Sequence, residues 1–565
     1  MSRGRIDYKW IALSNTTLGM LMTTLNSSIL LIALPDIFRG VRLDPLQAGN
    51  SSYLLWLIVG YPIVLAVLTV SLGRVGDMFG RVRMFTLGFA IFTLFSVLLS
   101  VNPLTGPTGA LMLIVLRLAQ AVGGAFIFAN SSAILTDAFP RGQRGLALGI
   151  NSVAAIAGSF IGLVLGGVLA PVSWRLVFLV SVPFGVLATF WSYRSLREVP
   201  LGRETRIDWW GNVTFAGGLV ALMVAITYGI QPYGGHAMGW TSPFVDACLT
   251  AGVLLLAAFC AVEQRAESPM FDLGLFRIRA FAAGNLAVFL SSIGRGGLQF
   301  VLIVWLQGIY LPQNGYAFSQ TPLWAGIYML PEIAGILIAG PISGHLSDRY
   351  GARPFTTGGM VVGTLTFALL IVVPVNFNYA WFAWILFLNG IAWGLFSSPN
   401  SAAVMNSLPP NRRGVGAGML ATAMNSAAVL SIGIFFTLMV VGLSSRLPQA
   451  LEHGPVRHGV AAQPAARISH LPPVTTLFAA FLGYNPMKTL LGPGELRSLP
   501  PAQSRQLTGR AFFPRLISTP FHDALDVAFA FSICACLIAA GASLLRGGKY
   551  HFEEAVAAEP ALEAV

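Results

Sequence analysis

Four charged residues interrupt long apolar stretches of the sequence, and their side chains could take part in proton transfer. Arg117, Arg295 and Glu332 lie inside apolar runs, and Asp36 follows Pro35 near the end of another. A charge at the centre of a bilayer costs roughly 2.5–3.5 kcal/mol on insertion scales, so each of these residues needs a structural or functional reason. Arg295 and Glu332 fall on consecutive runs at similar inferred depth and are therefore predicted to pair.

Such a pair could act as a switchable proton site. Burial favours the neutral form of the Glu332 carboxyl, whereas the nearby Arg295 guanidinium favours the charged form. The alternative is a static ion pair that locks two helices together. Arg117 has a similar alternative, in which backbone carbonyls and Gln120 cap it, and Asp36 is compatible with an ordinary residue at the membrane rim.

The composition indicates that lipid is the solvent for most of this chain. Of its 565 residues, 55% are hydrophobic and only 10% are charged, whereas soluble proteins carry about 25% charged residues. A disordered chain, a collagen-like repeat and a disulfide scaffold are excluded by the same composition. No nucleophile–base set, phosphate-binding loop for ATP or metal-ligand cluster is found, so we expect neither an enzyme nor a cofactor.

Fourteen apolar runs of about 20 residues, the length that crosses a bilayer, predict an all-α polytopic membrane protein with 14 transmembrane helices. They fall near residues 10–35, 52–72, 84–102, 109–136, 145–170, 174–194, 209–231, 242–263, 281–306, 322–343, 355–375, 379–398, 414–442 and 523–545.

The distribution of basic residues predicts the orientation. The net charge is +12, and twenty-one of the 34 basic residues fall in segments that alternate to one side, against three in the short loops of the other side. Because Lys and Arg concentrate in cytoplasmic loops, both termini are predicted to be cytoplasmic. The first span lacks a cleavage site and is expected to remain. Charge scattered over so many segments argues against nucleic-acid binding.

Two turns of similar sequence divide the chain into halves. GRVGDMFGRVR at 73–83 and GHLSDRYGARP at 344–354 lie eight spans apart, which suggests two six-helix halves with two inserted helices. The predicted units are a half at 1–206, an inserted pair at 207–265, and a half at 266–565 with a long extracellular loop at 443–521. The predicted gating turns, for which the alternative is a plain positively charged hairpin, contain Gly73, Asp77, Gly80, Arg81, Gly344, Asp348 and Gly351.

These motifs resemble those of the major facilitator superfamily, in particular its fourteen-span drug/proton antiporter branch, along the length of the chain. GRVGDMFGR resembles the superfamily's signature turn between helices two and three. The other similar segments are RLAQAVGGA from Arg117, the stretch from Gly162 to Gly185, TLNSSILLIALPDI at 24–37, and MFDLGLFRIRAFAAGN at 270–285. In two places the chain departs from the usual motifs, with Asn26 in place of an acidic residue and Leu163 in place of proline.

The resemblance implies a multi-pass transporter of the cell membrane that exports amphipathic or cationic organic compounds, in exchange for protons, by alternating access. A monomer in the lipid bilayer is expected. Asn26 and Leu163 leave open a transporter of one lipid-like or metabolite solute without proton antiport, and a non-transporting scaffold or sensor is a third alternative.

Polar and aromatic residues at inferred mid-membrane depth are candidates for a substrate cavity, or else hydrogen-bond and pack between helices. They are Asn26, Tyr61, Gln120, Asn285, Gln299, Trp305, Tyr328, Asn389, Trp393 and Asn425. Gly158, Gly162, Gly166 and Gly167 are predicted to permit close helix packing, sliding or static, on a helix that the resemblance places against the other half. In the long loop, residues 477–491 are predicted to lie on or dip into the outer leaflet. The loop is expected to cap the outward opening or to dock lipid-like cargo, and the alternative is an extracellular spacer.

Overall fold

The computed structural model describes residues 7–44, 46–47, 49–140, 143–198, 208–236, 238–267, 269, 271–409, 412–483 and 485–546. Within this part of the chain, fourteen helices are long and apolar enough to cross a membrane, which confirms the predicted number. They are α1 (Tyr8–Val41), α2 (Asn50–Phe79), α3 (Arg81–Ser100), α4 (Gly106–Ala138), α5 (Ala147–Leu169), α6 (Leu176–Ser195), α7 (Trp209–Gly229), α8 (Pro243–Arg265), α9 (Arg279–Gln313), α10 (Thr321–Ser347), α11 (Ala352–Val372), α12 (Tyr379–Asn406), α13 (Val415–Val456) and α14 (Phe512–Leu544).

Two faces of the bundle are used below as reference. We call the face with the α2–α3 and α10–α11 turns the turn face, and the opposite face, where residues 457–511 connect α13 to α14, the loop face. The prediction that the turn face is cytoplasmic follows from the basic residues and stays a prediction. The division at residues 206 and 265 also stays a prediction, and residues 199–207 lie outside the described part of the chain.

The N-terminal helices pack closely because small residues line their contacts. A Cβ on Gly158 would lie 2.5 Å from the carbonyl oxygen of Leu21, and one on Gly166 would lie 2.9 Å from that of Ile29. Real Cβ atoms essentially never approach a neighbour this closely. The four-residue spacing of these glycines therefore gives α5 a groove into which the backbone of α1 fits.

The inserted pair, α7 and α8, lies beside both halves. Phe215 of α7 packs against Phe259 of α8 with ring centroids 5.2 Å apart. Toward the N-terminal half, Ser51 of α2 donates a 3.0 Å hydrogen bond to Gln231, which follows α7. Toward the C-terminal half, a Cβ on Gly433 of α13 would lie 3.1 Å from Ile226 of α7.

The two halves touch at the loop face. The backbone of α5 at Gly167 lies against the backbone of α10 at Leu323, and a Cβ on Gly326 of α10 would lie 3.1 Å from the carbonyl oxygen of Leu163. A third inter-half contact joins α9 to α1, because the amide of Gln307 donates to the carbonyl oxygen of Ile32 at 3.4 Å. All three contacts lie near the ends of their helices that point away from the turn face.

The segment predicted as a long loop is largely helical. Helix α13 continues to Val456 and α14 begins at Phe512, so both helices extend well beyond the predicted spans. Among the described residues between them, short helical segments lie at Ala462–Ser469, Pro473–Phe481, Met487–Ser498 (kinked at Gly492) and Pro501–Leu507.

The prediction that 477–491 lies on or dips into the outer leaflet is wrong for its first part, which is covered by protein. Every residue of the helix Pro473–Phe481 is buried within the protein. Phe478 stacks on Phe436 of α13 with centroids 4.9 Å apart, and Phe481 packs against Phe300 of α9. Apolar surface that was expected to face lipid instead fills a space between α9 and α13, where aromatic packing adds to its burial.

Candidate functional site

A partly buried ion pair joins α9 to α10 in the C-terminal half. Nη2 of Arg295 lies 2.5 Å from Oε1 of Glu332, and Glu332 is only 5% exposed. The guanidinium carbon of Arg295 also lies 4.7 Å from the ring centroid of Trp393 in α12. The structure thus brings together the two residues predicted to pair and adds an aromatic ring that stabilises the cation.

Close packing of α10 and α12 fixes the position of Glu332. A Cβ on Gly390 of α12 would overlap the carbonyl oxygen of Glu332, and a Cβ on Gly394 would lie 2.8 Å from the backbone nitrogen of Gly340. The backbone of α12 can approach α10 this closely only because glycine occupies these positions. Movement of α12 relative to α10 therefore changes the surroundings of the Glu332 carboxyl.

A fully buried cation lies in the N-terminal half and has neutral partners. Arg117 of α4 is 2% exposed; it donates to Oε1 of Gln120 at 2.8 Å and to the carbonyl oxygen of Asn26 at 3.0 Å. It also contacts the side-chain oxygen of Asn26 and lies 4.5 Å from the ring centroid of Tyr61. Gln120 in turn donates to Ser96 of α3 at 2.7 Å. Among the described residues, no carboxylate forms an ion pair with Arg117.

Asp36 lies apart from both clusters. It pairs with Arg39, one turn further along α1, at 2.9 Å, and Arg39 is half exposed. This local pair near the loop-face end of α1 agrees with the alternative of a rim residue, and a role in proton coupling stays a prediction.

The remaining cavity candidates separate into packed and partly exposed residues. Trp305 is fully buried between Phe377 and Phe382. Two amides are used within the helices, since Asn389 donates to Thr366 at 2.9 Å and Asn285 to the carbonyl oxygen of Phe281 at 3.0 Å. The partly exposed candidates are Gln299, Tyr328, Trp393 and Asn425.

The glycine groove of α5 faces a different partner from the one that the resemblance implied. Gly158, Gly162 and Gly166 lie against α1 of the same half, whereas only Gly167 faces α10 of the other half. The first three glycines therefore pack against a helix of the same half, as in the static-packing alternative, and the fourth packs against the other half.

The first gating turn contains an arginine held by two carboxylates. Arg81 lies 2.7 Å from Asp77 and 2.6 Å from Asp137 at the end of α4. Gly80 has a φ of 107°, which favours glycine, and the Glu198 carboxylate accepts a 3.1 Å hydrogen bond from the backbone N–H of Arg83. A Cβ on Gly73, by contrast, would make only an ordinary contact with Ala129.

The sequence analysis missed both Asp137 and Glu198, whose only signal is acidity close to the turn face. Their partners lie 56 and 115 residues away in the chain, so the pairing depends on how α2, α3, α4 and the end of α6 assemble.

The second gating turn has the same backbone feature. Gly351 has a φ of 85°, and a Cβ on Gly344 would lie 2.7 Å from Oγ of Ser398 in α12. The side chain of Asp348 lies outside the described residues, so its predicted role stays a prediction.

Arg546, just beyond α14, is another buried cation that the sequence analysis missed, because it was counted only as a marker of orientation. It is 6% exposed and donates to the side-chain oxygen of Asn400. Asn400 in turn donates to the carbonyl oxygen of Gly284 at 3.2 Å, which ties the chain after α14 to α12 and α9. Burial lowers the pKa of Arg546 to about 10, so it remains charged at neutral pH.

Fourteen helices that are long and apolar enough to cross a membrane, with Arg117 buried among them and Arg295 paired with Glu332, are typical of a membrane transporter. The profile described as Major Facilitator Superfamily matches residues 16–432, and the chain belongs to this superfamily. The family resemblance and the expectation of a non-enzymatic, multi-pass protein of the cell membrane are thereby confirmed.

Individual relatives differ in their stated cargo. The riboflavin transporter RibZ of Clostridioides difficile is 28% identical over 77% of this chain and 89% of its own length. The multidrug resistance protein Stp of Mycobacterium tuberculosis is 28% identical over 80% of each chain. The fold is similar to that of a bacterial homologue of the human lysosomal transporter Spinster, with a TM-score of 0.56 at 15% identity over 96% of this chain and 97% of that one.

Proposed function

We propose that this transporter exports amphipathic or cationic organic compounds in exchange for protons. The observation that carries the proposal is the ion pair of Arg295 with the buried Glu332, because Glu332 is a carboxyl within a membrane-spanning helix and has a cationic partner. A relative of the multidrug resistance type supports the substrate class.

The pair gives protons and cationic cargo a shared site. When Glu332 takes up a proton, its negative charge is lost. The ion pair is then replaced by a weaker hydrogen bond between the Arg295 guanidinium, which stays charged, and a neutral carboxyl group. A cationic compound near Glu332 has the same effect as Arg295 in favouring the charged carboxylate. Proton binding and cation binding at Glu332 therefore oppose each other, which is the requirement for exchange.

Alternating access supplies the change of side. We propose that separation of α5 from α10 opens the loop face, and that the Arg81 contacts with Asp77 and Asp137 hold the α2–α3 turn against α4 while the N-terminal half moves as a unit. Under the predicted orientation, the loop face is the outer one and export requires its opening.

The direct test measures transport of a cationic dye by proteoliposomes under an imposed pH gradient, for the wild type and for Glu332→Gln. We expect the gradient to drive dye movement in the wild type but not in Glu332→Gln, which keeps the shape of the side chain and cannot exchange the proton. A matched control is Asp272→Asn, which removes a carboxylate from the partly exposed pair with Arg412. Gradient-driven dye movement by Glu332→Gln would contradict the role of this residue.

A second candidate function is transport of one specific metabolite without proton antiport. It is favoured by the resemblance to a riboflavin transporter and by Arg117, whose partner is the neutral Asn26. In the same proteoliposomes, riboflavin uptake that ignores the pH gradient, together with no dye movement, would favour this function over the first.

A further inference from the structure

A cavity of about 900 Å³ opens at the loop face, away from both buried charge clusters. Its walls are the last turns of α13, the first turns of α14, the residues just before α14, and the chain between α9 and α10. The cavity exists because α13 and α14 extend past their predicted ends, so the sequence alone gave no indication of it.

The polar part of the wall is strongly basic. Four arginines and two histidines line the cavity, and no aspartate or glutamate is among its lining residues. These residues are Arg446, Arg457, Arg510, Arg515, His453 and His458.

Most of this charge has no counter-ion among the described residues. Arg446 lies 3.1 Å from Asp523, but Arg457, Arg510 and Arg515 form no ion pair with any residue that the structure describes. Three unpaired guanidinium groups around one cavity create a positive potential that attracts anions. Their planar donors match phosphate and carboxylate oxygens, with which arginine forms paired hydrogen bonds.

One side of the cavity is apolar and well ordered by its own contacts. Phe512 and Leu516 of α14 line it together with Pro312 and Ala450. Nδ1 of His458 lies 2.9 Å from the carbonyl oxygen of Gly454, and its ring packs edge-on against Phe512 at 5.1 Å. The wall therefore offers an apolar surface beside its cationic groups.

We propose that this cavity binds a phosphate-bearing anion, with the phosphate held by Arg457, Arg510 and Arg515 and any apolar part lying against Phe512 and Leu516. The phosphate group is shared by two sources, the headgroup of an anionic lipid and a soluble phosphate. Arginine is suited to both because a guanidinium contacts phosphate oxygens through two N–H groups. The site is independent of the proton pair, so failure of either proposal leaves the other standing.

The test measures binding to the full-length protein in nonionic detergent by isothermal titration calorimetry. The probes are short-chain phosphatidylglycerol, short-chain phosphatidylcholine and inorganic phosphate. The cavity variant combines Arg457→Gln, Arg510→Gln and Arg515→Gln. The matched control combines Arg467→Gln, Arg497→Gln and Arg505→Gln, which remove the same amount of charge from the segment between α13 and α14 but outside the cavity.

We expect phosphatidylglycerol to bind the wild type and to bind the cavity variant at least about tenfold more weakly. The affinity of the control variant should remain within about twofold of the wild type, because salt screens long-range charge effects. Binding of phosphatidylglycerol without binding of inorganic phosphate identifies a lipid site, and binding of both identifies a site for the phosphate group itself. If the cavity variant aggregates, the single variants Arg510→Gln and Arg510→Lys replace it. Arg510 is exposed, so these changes should not disturb folding. The glutamine variant should bind phosphatidylglycerol more weakly than the lysine variant.

Two results would overturn the proposal. The first is equal weakening by the cavity and control variants, which would mean that only overall charge matters. The second is binding of phosphatidylglycerol no tighter than that of phosphatidylcholine, together with no detectable binding of inorganic phosphate.

Discussion

A single added methyl group between α5 and α10 should change the balance between closed and open forms at the loop face. A Cβ on Gly167 would lie 2.6 Å from the backbone nitrogen of Leu323 and 2.9 Å from the carbonyl carbon of Pro322. Ordinary carbon contacts begin near 3.5 Å, so Gly167→Ala must move the two backbones apart by about 1 Å. Overpacking of this kind costs about 1–3 kcal/mol. Applied to the closed form alone, this cost shifts the equilibrium by about 5- to 150-fold.

Distances between spin labels measure this shift. Labels on Val172→Cys and Gln320→Cys, one just after α5 and the other just before α10, report separation of the halves once the four native cysteines are replaced by serine. We expect Gly167→Ala to increase the population at long distance. Gly340→Ala, also in α10, is the matched control, because a Cβ there meets nothing within 4 Å. An unchanged distance distribution in Gly167→Ala, or an equal change in Gly340→Ala, refutes the reasoning.

Three further predictions concern the two clusters and the connecting segment. Arg117→Met leaves buried acceptors without a donor, so the free energy of unfolding should fall by about 1–3 kcal/mol and transport should be lost. An unchanged melting temperature would contradict this prediction. Asp137→Asn removes one of the two carboxylates that contact Arg81. This partly exposed ion pair contributes up to about 1 kcal/mol, so the initial transport rate should change up to about fivefold while the melting temperature stays constant. Phe478→Ala should lower stability by about 3–5 kcal/mol, whereas Val456→Ala, at an exposed position, should not lower it measurably in a thermal melt.

The spans could be predicted from the sequence because a membrane imposes one simple condition on each of them. A helix in lipid needs about 20 apolar residues and satisfies its own backbone hydrogen bonds, so composition and length suffice. The same reasoning failed for residues 443–521, where no such condition applies. There, Pro473–Phe481 is too short to span, and its burial against Phe300 and Phe436 depends on the packing of α9 and α13.

The sequence indicated which charged residues lie within the membrane-spanning helices, but it did not reveal all of their contact partners. Depth in an apolar run was enough to single out Arg117, Arg295 and Glu332. Pairing of Arg295 with Glu332 could be predicted because the two residues lie on consecutive helices. The contact of Arg117 with Asn26 joins residues 91 positions apart, and the helix order along the chain does not reveal it.

The two halves carry the same kind of cation in unequal surroundings, which assigns them different parts in the proposed cycle. An arginine cannot be deprotonated in a protein, so neither Arg117 nor Arg295 can itself release a proton. Around Arg117 the partners are Asn26, Gln120 and the ring of Tyr61, none of which exchanges a proton near neutral pH. Of these two clusters, only the one with Glu332 has a group that could exchange a proton, so the proposed cycle assigns proton exchange to Glu332 and a constant positive charge to the N-terminal cluster.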